Sequence, residues 1–355
     1  MFKIQIKEGL KYSSRKKGAF CFHPPFSLQI YPCRLELKDL ETSKSWIFLF
    51  KPKSAFRDFS FVHDLKRLKT DIFAKNREGL FHYSLSSKGL FFHNVNSIEL
   101  ESEVFTGALE KKQCIALPAQ FNYKPSTELE QLFLGSHKLS RLQTLQERLD
   151  LKQILPFCLY LEQILKNNEA LSMNNIGEVK GKAVFALLEN LETLLENKEH
   201  DQLTHCLQEL YLASFKDLFV PRLVDDEWQG FTLSAAPQDL NPLLWFSELA
   251  KRLRSLFFKA EGLRILPHLP PQLHCGSYLA LQSEEISRLD FEWTKKQIRR
   301  LYFVPKRDCE LLFHFQRDIR SFRLRSLDFE KKRIKCGEIL ACQKGKGYFL
   351  DNFQK

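Results

Sequence analysis

The sequence predicts an α+β multidomain chain: a β-sandwich-like domain over residues 1–125, an antiparallel helical block of five or six helices over 126–263, and an antiparallel β domain over 264–355. Three observations carry this reading. The first third alternates apolar and polar residues between short turn clusters. A helical period begins with KPSTELEQLFLG at residue 124. Three prolines, Pro267, Pro270 and Pro271, then precede a return to alternation.

In the first third, FKIQIK sets Phe2, Ile4 and Ile6 against Lys3, Gln5 and Lys7, the period of a half-buried strand. SLQIYP, CRLELKD, SWIFLFKP, GLFHYSLS, GLFFHNV and SIELESEVF follow, separated by SSRKKG, HPP, KPKS and SSKG. Many short strands with regular turns predict two packed sheets. The 32 phenylalanines supply large rigid side chains suited to such a core.

Thr127 with Glu130 reads as a capping box, and Asp150 with Gln153 repeats it before LKQILPFCLYLEQIL. Pro156 sits near the start of that helix, because it lacks an N–H to donate. KAVFALLENLETLLEN and DQLTHCLQELYLASFKDLF place apolar residues at i, i+3, i+4 and i+7, in the second case Leu203, Cys206, Leu207 and Leu210. Asn241-Pro242 opens a further helix, with an expected buried stripe of Phe246, Leu249, Leu253 and Leu256, and the helical period runs to about residue 262.

The net charge of +11 is lopsided. Residues 294–335 hold fourteen Lys or Arg against five Asp or Glu. Such a surplus permits an anionic partner without specifying one. In this region Leu289, Phe291 and Trp293 alternate with Asp290, Glu292 and Thr294. Phe313 and Phe315 alternate with His314 and Gln316, and Phe322 and Leu324 with Arg323 and Arg325. Strands with an apolar inner face and a polar outer face follow. The rings are then committed to a core rather than to stacking on bases, and no helix-turn-helix, zinc-finger or RRM signature is present. The sequence therefore speaks against a nucleic-acid partner. Arg299, Arg300, Arg320, Arg323 and Arg325 are the residues that would bind an anion if this face is functional.

DDEWQGF, residues 225–231, is the most suggestive chemical cluster. Asp225, Asp226 and Glu227 are weak catalytic candidates, and Trp228, Gln229 and Arg222 are candidate ligand-binding residues. Sugar sites use carboxylates for acid/base work and an indole face against the ring. Glycoside hydrolysis needs two carboxyl groups roughly 5–10 Å apart, which adjacent residues do not normally provide, so a polar loop is the competing reading. Ser136 beside His137 reads as a cap after a helix-ending Gly135, not as a nucleophile and its base. His268, His274 and Cys275 lack the paired spacing of a zinc site. GKGY at 345–348 is too short for a phosphate loop and reads as a turn. The other histidines are scattered, so no metal and no cofactor is expected.

Nine cysteines, an odd number without a C-x-x-C pair, point to reduced thiols and a cytoplasmic protein. No apolar run reads as a secretory segment or a membrane span. Export through a non-cleaved signal, which leaves no pattern to read, stays open.

ILPHLPPQLHCGSYLALQ, followed by LDFEWTKKQIRRLYFVP and SFRLR, resembles the tail of the fucosidase-like glycoside hydrolases built on an (α/α)6 barrel. There the barrel ends with an LP-x-LP segment and a Gly, followed by a two-layer β domain with an E-W-x-x-x-x-I/L strand. The matching stretch runs from Leu266 to Phe303 and contains Glu292 and Trp293. LFLGSHK, RLDLKQILPF, VPRLVDDEWQGF and the tail also resemble a set of uncharacterised chlamydia-type proteins, a match that implies no activity. A barrel of twelve helices, at roughly 12 residues each plus loops, would need about twice the helical block found here. None of the hydrolases' catalytic carboxylates maps onto this chain. The resemblance thus implies a carbohydrate-associated protein with a truncated barrel, non-catalytic or degenerate, and hydrolase-like if it is an enzyme. The alternatives are a protein–protein interaction module, or anion or nucleic-acid binding through the basic C-terminal sheet.

Overall fold

Period-2 alternation organises most of the chain into sheets. The computed structural model describes residues 11–23, 26–39, 44–65, 67–117, 129–135, 140–141, 151–166, 183–197, 199, 202–210, 242–316, 318–326 and 332–355. The strand expected at FKIQIK lies outside these residues.

Two sheets form from the first 117 residues and the short strand Ser140–Arg141. The first runs in the order Cys114–Ile115, Gly89–Asn94, Gly79–Ser86, Lys69–Asn76, Asp58–Asp64, Lys11–Ser14, Ser140–Arg141. The second runs Thr106–Ala108, Glu99–Glu101, Ser45–Lys51, Arg34–Asp39, Phe26–Ile30, Ala19–His23. Phe50 of the second sheet meets Phe81, Tyr83 and Phe92 of the first at ring-centroid distances of 5.3, 4.8 and 6.3 Å. The sheets therefore face each other across an aromatic core, where such ring pairs contribute about 1 kcal/mol each beyond their buried area. SIELESEVF is a strand only over Glu99–Glu101, and the chain returns antiparallel to it as Thr106–Ala108. Ser102 Oγ accepts from the Val104 and Phe105 amides at 3.3 and 3.1 Å and turns the chain between them.

A polar pin crosses the same core. His23 Nδ1, from the second sheet, and His63 Nδ1, from the first, lie 3.2 and 2.8 Å from the Thr70 hydroxyl. All three residues are buried.

The expected α+β architecture with a helical domain of five or six helices is not what forms. The described chain is mainly antiparallel β-sheet. Its four α-helical segments are Leu151–Lys166, Ala183–Asn197, residues 202–210 and Pro242–Phe257. Two errors of reading inflated the helical block. Gln131–Phe133, expected in a capped helix, is a strand paired antiparallel with Gly276–Leu281. A local capping pattern is worth little against a ladder of inter-strand hydrogen bonds and the burial of Leu132, Phe133 and Leu134. The last helix also stops at Phe257, where Phe258–Lys259 and Arg264–Ile265 form a short antiparallel pair. Where helices do form, their stripes are inward: Leu203, Cys206, Leu207, Leu210, Leu249, Leu253 and Leu256 are all buried.

The third sheet has the order Gln131–Phe133, Gly276–Leu281, Ile286–Thr294, Gln297–Pro305, Tyr348–Gln354, Ser321–Ser326, Lys332–Lys335. Its inner face buries Tyr278, Phe291, Trp293, Leu301, Phe303 and Leu350. Phe257, at the end of the last helix, packs on this face against Tyr278 and Trp293 at 5.9 and 5.5 Å. Phe313 and Phe315 do not belong to a strand of this sheet. His314 between them makes only an isolated bridge to Arg264, while Phe313 packs on Phe303 at 5.0 Å.

Candidate functional site

The strand registers of the third sheet place its charges in a lateral row. Glu292 is opposite Arg300, Arg300 opposite Asp351, Asp351 opposite Arg323, and Arg323 opposite Arg333. Inward neighbours such as Trp293, Leu301, Leu350 and Phe322 are buried, so period 2 sends the row to the outer face. Charges of both signs at 4.5–5.5 Å spacing stabilise an antiparallel sheet modestly.

The ion pairs within the row differ. Arg300 Nε sits 2.8 Å from Glu292 Oε1. Arg323 grips Asp351 with two hydrogen bonds, at 2.7 and 3.1 Å, and this pairing raises the guanidinium pKa further. Arg325 also donates to Asp351 and lies over the Phe349 ring at 5.8 Å. The register shifts between Glu292 and Trp293 and leaves Arg299 as an extra residue, a β-bulge that re-aims its side chain. Its Nε donates to Thr294 Oγ1 at 2.8 Å. Arg320 stands at the sheet's end, exposed, with its backbone amide donating to the Gln354 carbonyl at 2.7 Å.

The structure thus brings together four of the five arginines expected to bind an anion. Arg323 and Arg325 are half-buried and bound to Asp351, whereas Arg299 and Arg300 are exposed. Arg333 and Lys335 of the edge strand, both exposed, extend the face. The reading from sequence missed these two because it could not pair Arg323 with Arg333.

The other candidates fare differently. Arg222, Asp225, Asp226, Glu227, Trp228 and Gln229 lie outside the described residues, as do Ser136 and His137. Gly135 has a φ of +83°, but it follows a strand, not a helix. His268 is buried, His274 exposed and Cys275 half-buried. They form no metal-type cluster among the described residues.

A second feature lies where the helices meet the third sheet. Glu130 accepts from Tyr278 Oη at 2.6 Å and pairs with Arg254 at 3.1 Å. The Gln163 side chain accepts from the Glu130 amide at 2.6 Å and donates to its carbonyl at 3.0 Å, as a neighbouring strand would. A cavity of about 590 Å³ opens beside this knot. Glu130, Tyr278, Gln163 and Arg254 are thus bound to one another, and the knot reads as a tie between layers.

The sequence reading also passed over Asp71, His82 and His93, which meet on the outer face of the first sheet. The hairpin Gly79–Asn94 puts His82 opposite Asn94 and Tyr83 opposite Phe92, which leaves His93 as the extra residue of a bulge with its ring 4.2 Å from that of His82. The pairing of Ser84 with Phe91 and of Tyr83 with Phe92 already leads His93 toward His82, a long-range consequence of the hairpin register that the sequence reading did not work out.

Comparison with protein-family models and with curated proteins finds no match to the chain. Among the described residues no helix is long and apolar enough to cross a membrane.

Proposed function

We propose that the protein is a non-enzymatic binding module that engages an acidic protein partner through the outer face of its C-terminal sheet. The observation that carries this is the lateral row Glu292–Arg300–Asp351–Arg323–Arg333, flanked by Arg299, Arg325 and Lys335 on the same face. Its positive surplus attracts an anionic surface. Its interspersed carboxylates favour a partner with patterned charge, since each repels a continuous phosphate backbone. Base stacking is not favoured either. Phe291, Trp293, Phe303 and Tyr348 are buried on the opposite face. Asp225, Asp226, Glu227 and Trp228, on which the carbohydrate reading was built, offer no described geometry, so the basic face carries the proposal. The odd cysteine count supports a reducing, cytoplasmic setting.

Poly-glutamate and a DNA duplex of matched charge serve as probes in a salt series. Arg300→Glu combined with Arg333→Glu should weaken poly-glutamate binding by about tenfold or more and flatten its salt dependence. Equal binding by wild type and double variant would remove this face as the site. Tighter, sequence-independent binding to the duplex would replace the acidic protein with nucleic acid.

A further inference from the structure

The outer face of the first sheet holds two histidines and one aspartate on three adjacent strands: Asp71 on Lys69–Asn76, His82 on Gly79–Ser86 and His93 on Gly89–Asn94. One ligand atom from each lies within 4.8 Å of the others. We propose that these three side chains form a binding site for a borderline divalent metal ion of the zinc class.

The donor set is two imidazole nitrogens and one carboxylate oxygen, which suits zinc and its neighbours in the first transition row. Ligands about 2.1 Å from a common tetrahedral centre stand roughly 3.4 Å apart. His82 Nε2 and Asp71 Oδ1 are already 3.3 Å apart. Closing the rest takes side-chain rotation alone, because the three backbones are fixed by the ladder. Three protein ligands on an open sheet face leave a fourth position to water or to a ligand from solution.

The surroundings favour this use. The His82 ring is held between Phe73 at 4.3 Å and His93 at 4.2 Å, both nearly parallel to it. Phe91 meets His93 edge-on at 4.7 Å. Such packing limits the rotamers that a metal would otherwise have to order. The buried Ser84 places its hydroxyl 3.0 Å from His93 Nε2, an outer partner of the kind that orients a metal ligand. Lys69 pairs with the same Asp71 Oδ1 at 2.7 Å, so its ammonium is the cation that a metal ion would replace there. The side chains of His82 and Asp71 keep 19% and 26% exposure, so an ion can reach them from solvent.

The test is zinc titration of the full chain under a non-chelating reductant, read by calorimetry and by nitrogen-15 shifts of the histidine rings. Exposed thiols compete for zinc, and Cys114 lies on the strand next to Phe91. The titration is therefore run in a Cys33→Ser, Cys114→Ser background. One zinc per chain is expected, with ring-nitrogen shifts confined to His82 and His93. His93→Ala and the near-isosteric Asp71→Asn should each weaken binding at least about tenfold. Unshifted His82 and His93 resonances in this zinc-saturated background would overturn the proposal with all three ligands intact. So would zinc binding that is unchanged in Asp71→Asn and His93→Ala.

Discussion

The Tyr278 hydroxyl donates to Glu130 Oε2 at 2.6 Å, joining residues 148 apart in sequence. The same carboxylate holds Arg254 of the last helix, so one acidic side chain connects an edge strand, a sheet and a helix. Burial first, and Glu130 second, push the Tyr278 pKa well up, so the phenol stays protonated and remains a donor. Tyr278→Phe should cost about 1–2 kcal/mol, the worth of a hydrogen bond to a charged group. Glu130→Ala should cost about 3 kcal/mol, because it strands Arg254 beside the cavity. Urea unfolding of both single variants and the double variant measures the coupling. An additive double variant would mean that the two residues do not act through each other.

Burial lowers the His23 pKa to about 4 from 6.5. In the folded protein the ring therefore stays neutral while the unfolded chain takes up a proton below 6.5. Between these values the unfolded state binds more protons, so stability rises with pH and falls on acidification from pH 6.5 toward 4. The full span amounts to about 3 kcal/mol. Comparing urea midpoints at pH 7 and 5 should show a smaller loss in His23→Leu than in wild type. Equal losses in the two proteins would remove His23 as the sensor.

Much of this architecture was legible where the period is short and the turns are explicit. Gly79–Ser86 and Gly89–Asn94 follow GLFHYSLS and GLFFHNV closely, and Leu289, Phe291 and Trp293 face inward as their spacing requires. Gln131–Phe133 was not legible. Three residues carry too little periodicity, and the strand exists only because Gly276–Leu281, far along the chain, completes it. The basic face was half legible. Alternation puts Arg323 and Arg325 outward, but nothing local pairs them with Asp351. For His93 the alternation with buried Phe92 assigns the outer face correctly, but only the register of the hairpin and its neighbouring strand brings it to His82 and Asp71.

Asp351 is the acidic residue most surrounded by arginine on the basic face. Asp351→Asn should leave Arg323 and Arg325 half-buried without a counter-charge, at a cost of about 2 kcal/mol or more. The same change raises the positive surplus of the face. Poly-glutamate binding should therefore tighten and its salt dependence steepen while stability falls. Few substitutions move stability and affinity in opposite directions, so thermal melts and binding measured on one preparation form the check. Unchanged affinity would show that the partner does not approach Asp351.

Gly276 lies where the Gln131–Phe133 strand, the sheet and the Trp293 ring converge. A Cβ there would stand 2.5 Å from the Phe133 carbonyl oxygen and 2.5 Å from the indole ring. Neither neighbour can yield readily. The carbonyl is part of the ladder, and the fully buried indole is anchored by its N–H donating to the Leu273 carbonyl at 2.8 Å. Gly276→Ala should cost about 1–3 kcal/mol, the range for overpacking a filled core. The damage should be local first, since the edge strand is the lightest of the elements involved. Amide hydrogen exchange over residues 131–133 should accelerate more than exchange over Gln297–Pro305 at the sheet centre. Uniform acceleration across the sheet would instead mean that the strain is carried by Trp293, and Trp293→Phe in the Gly276→Ala background should then recover stability.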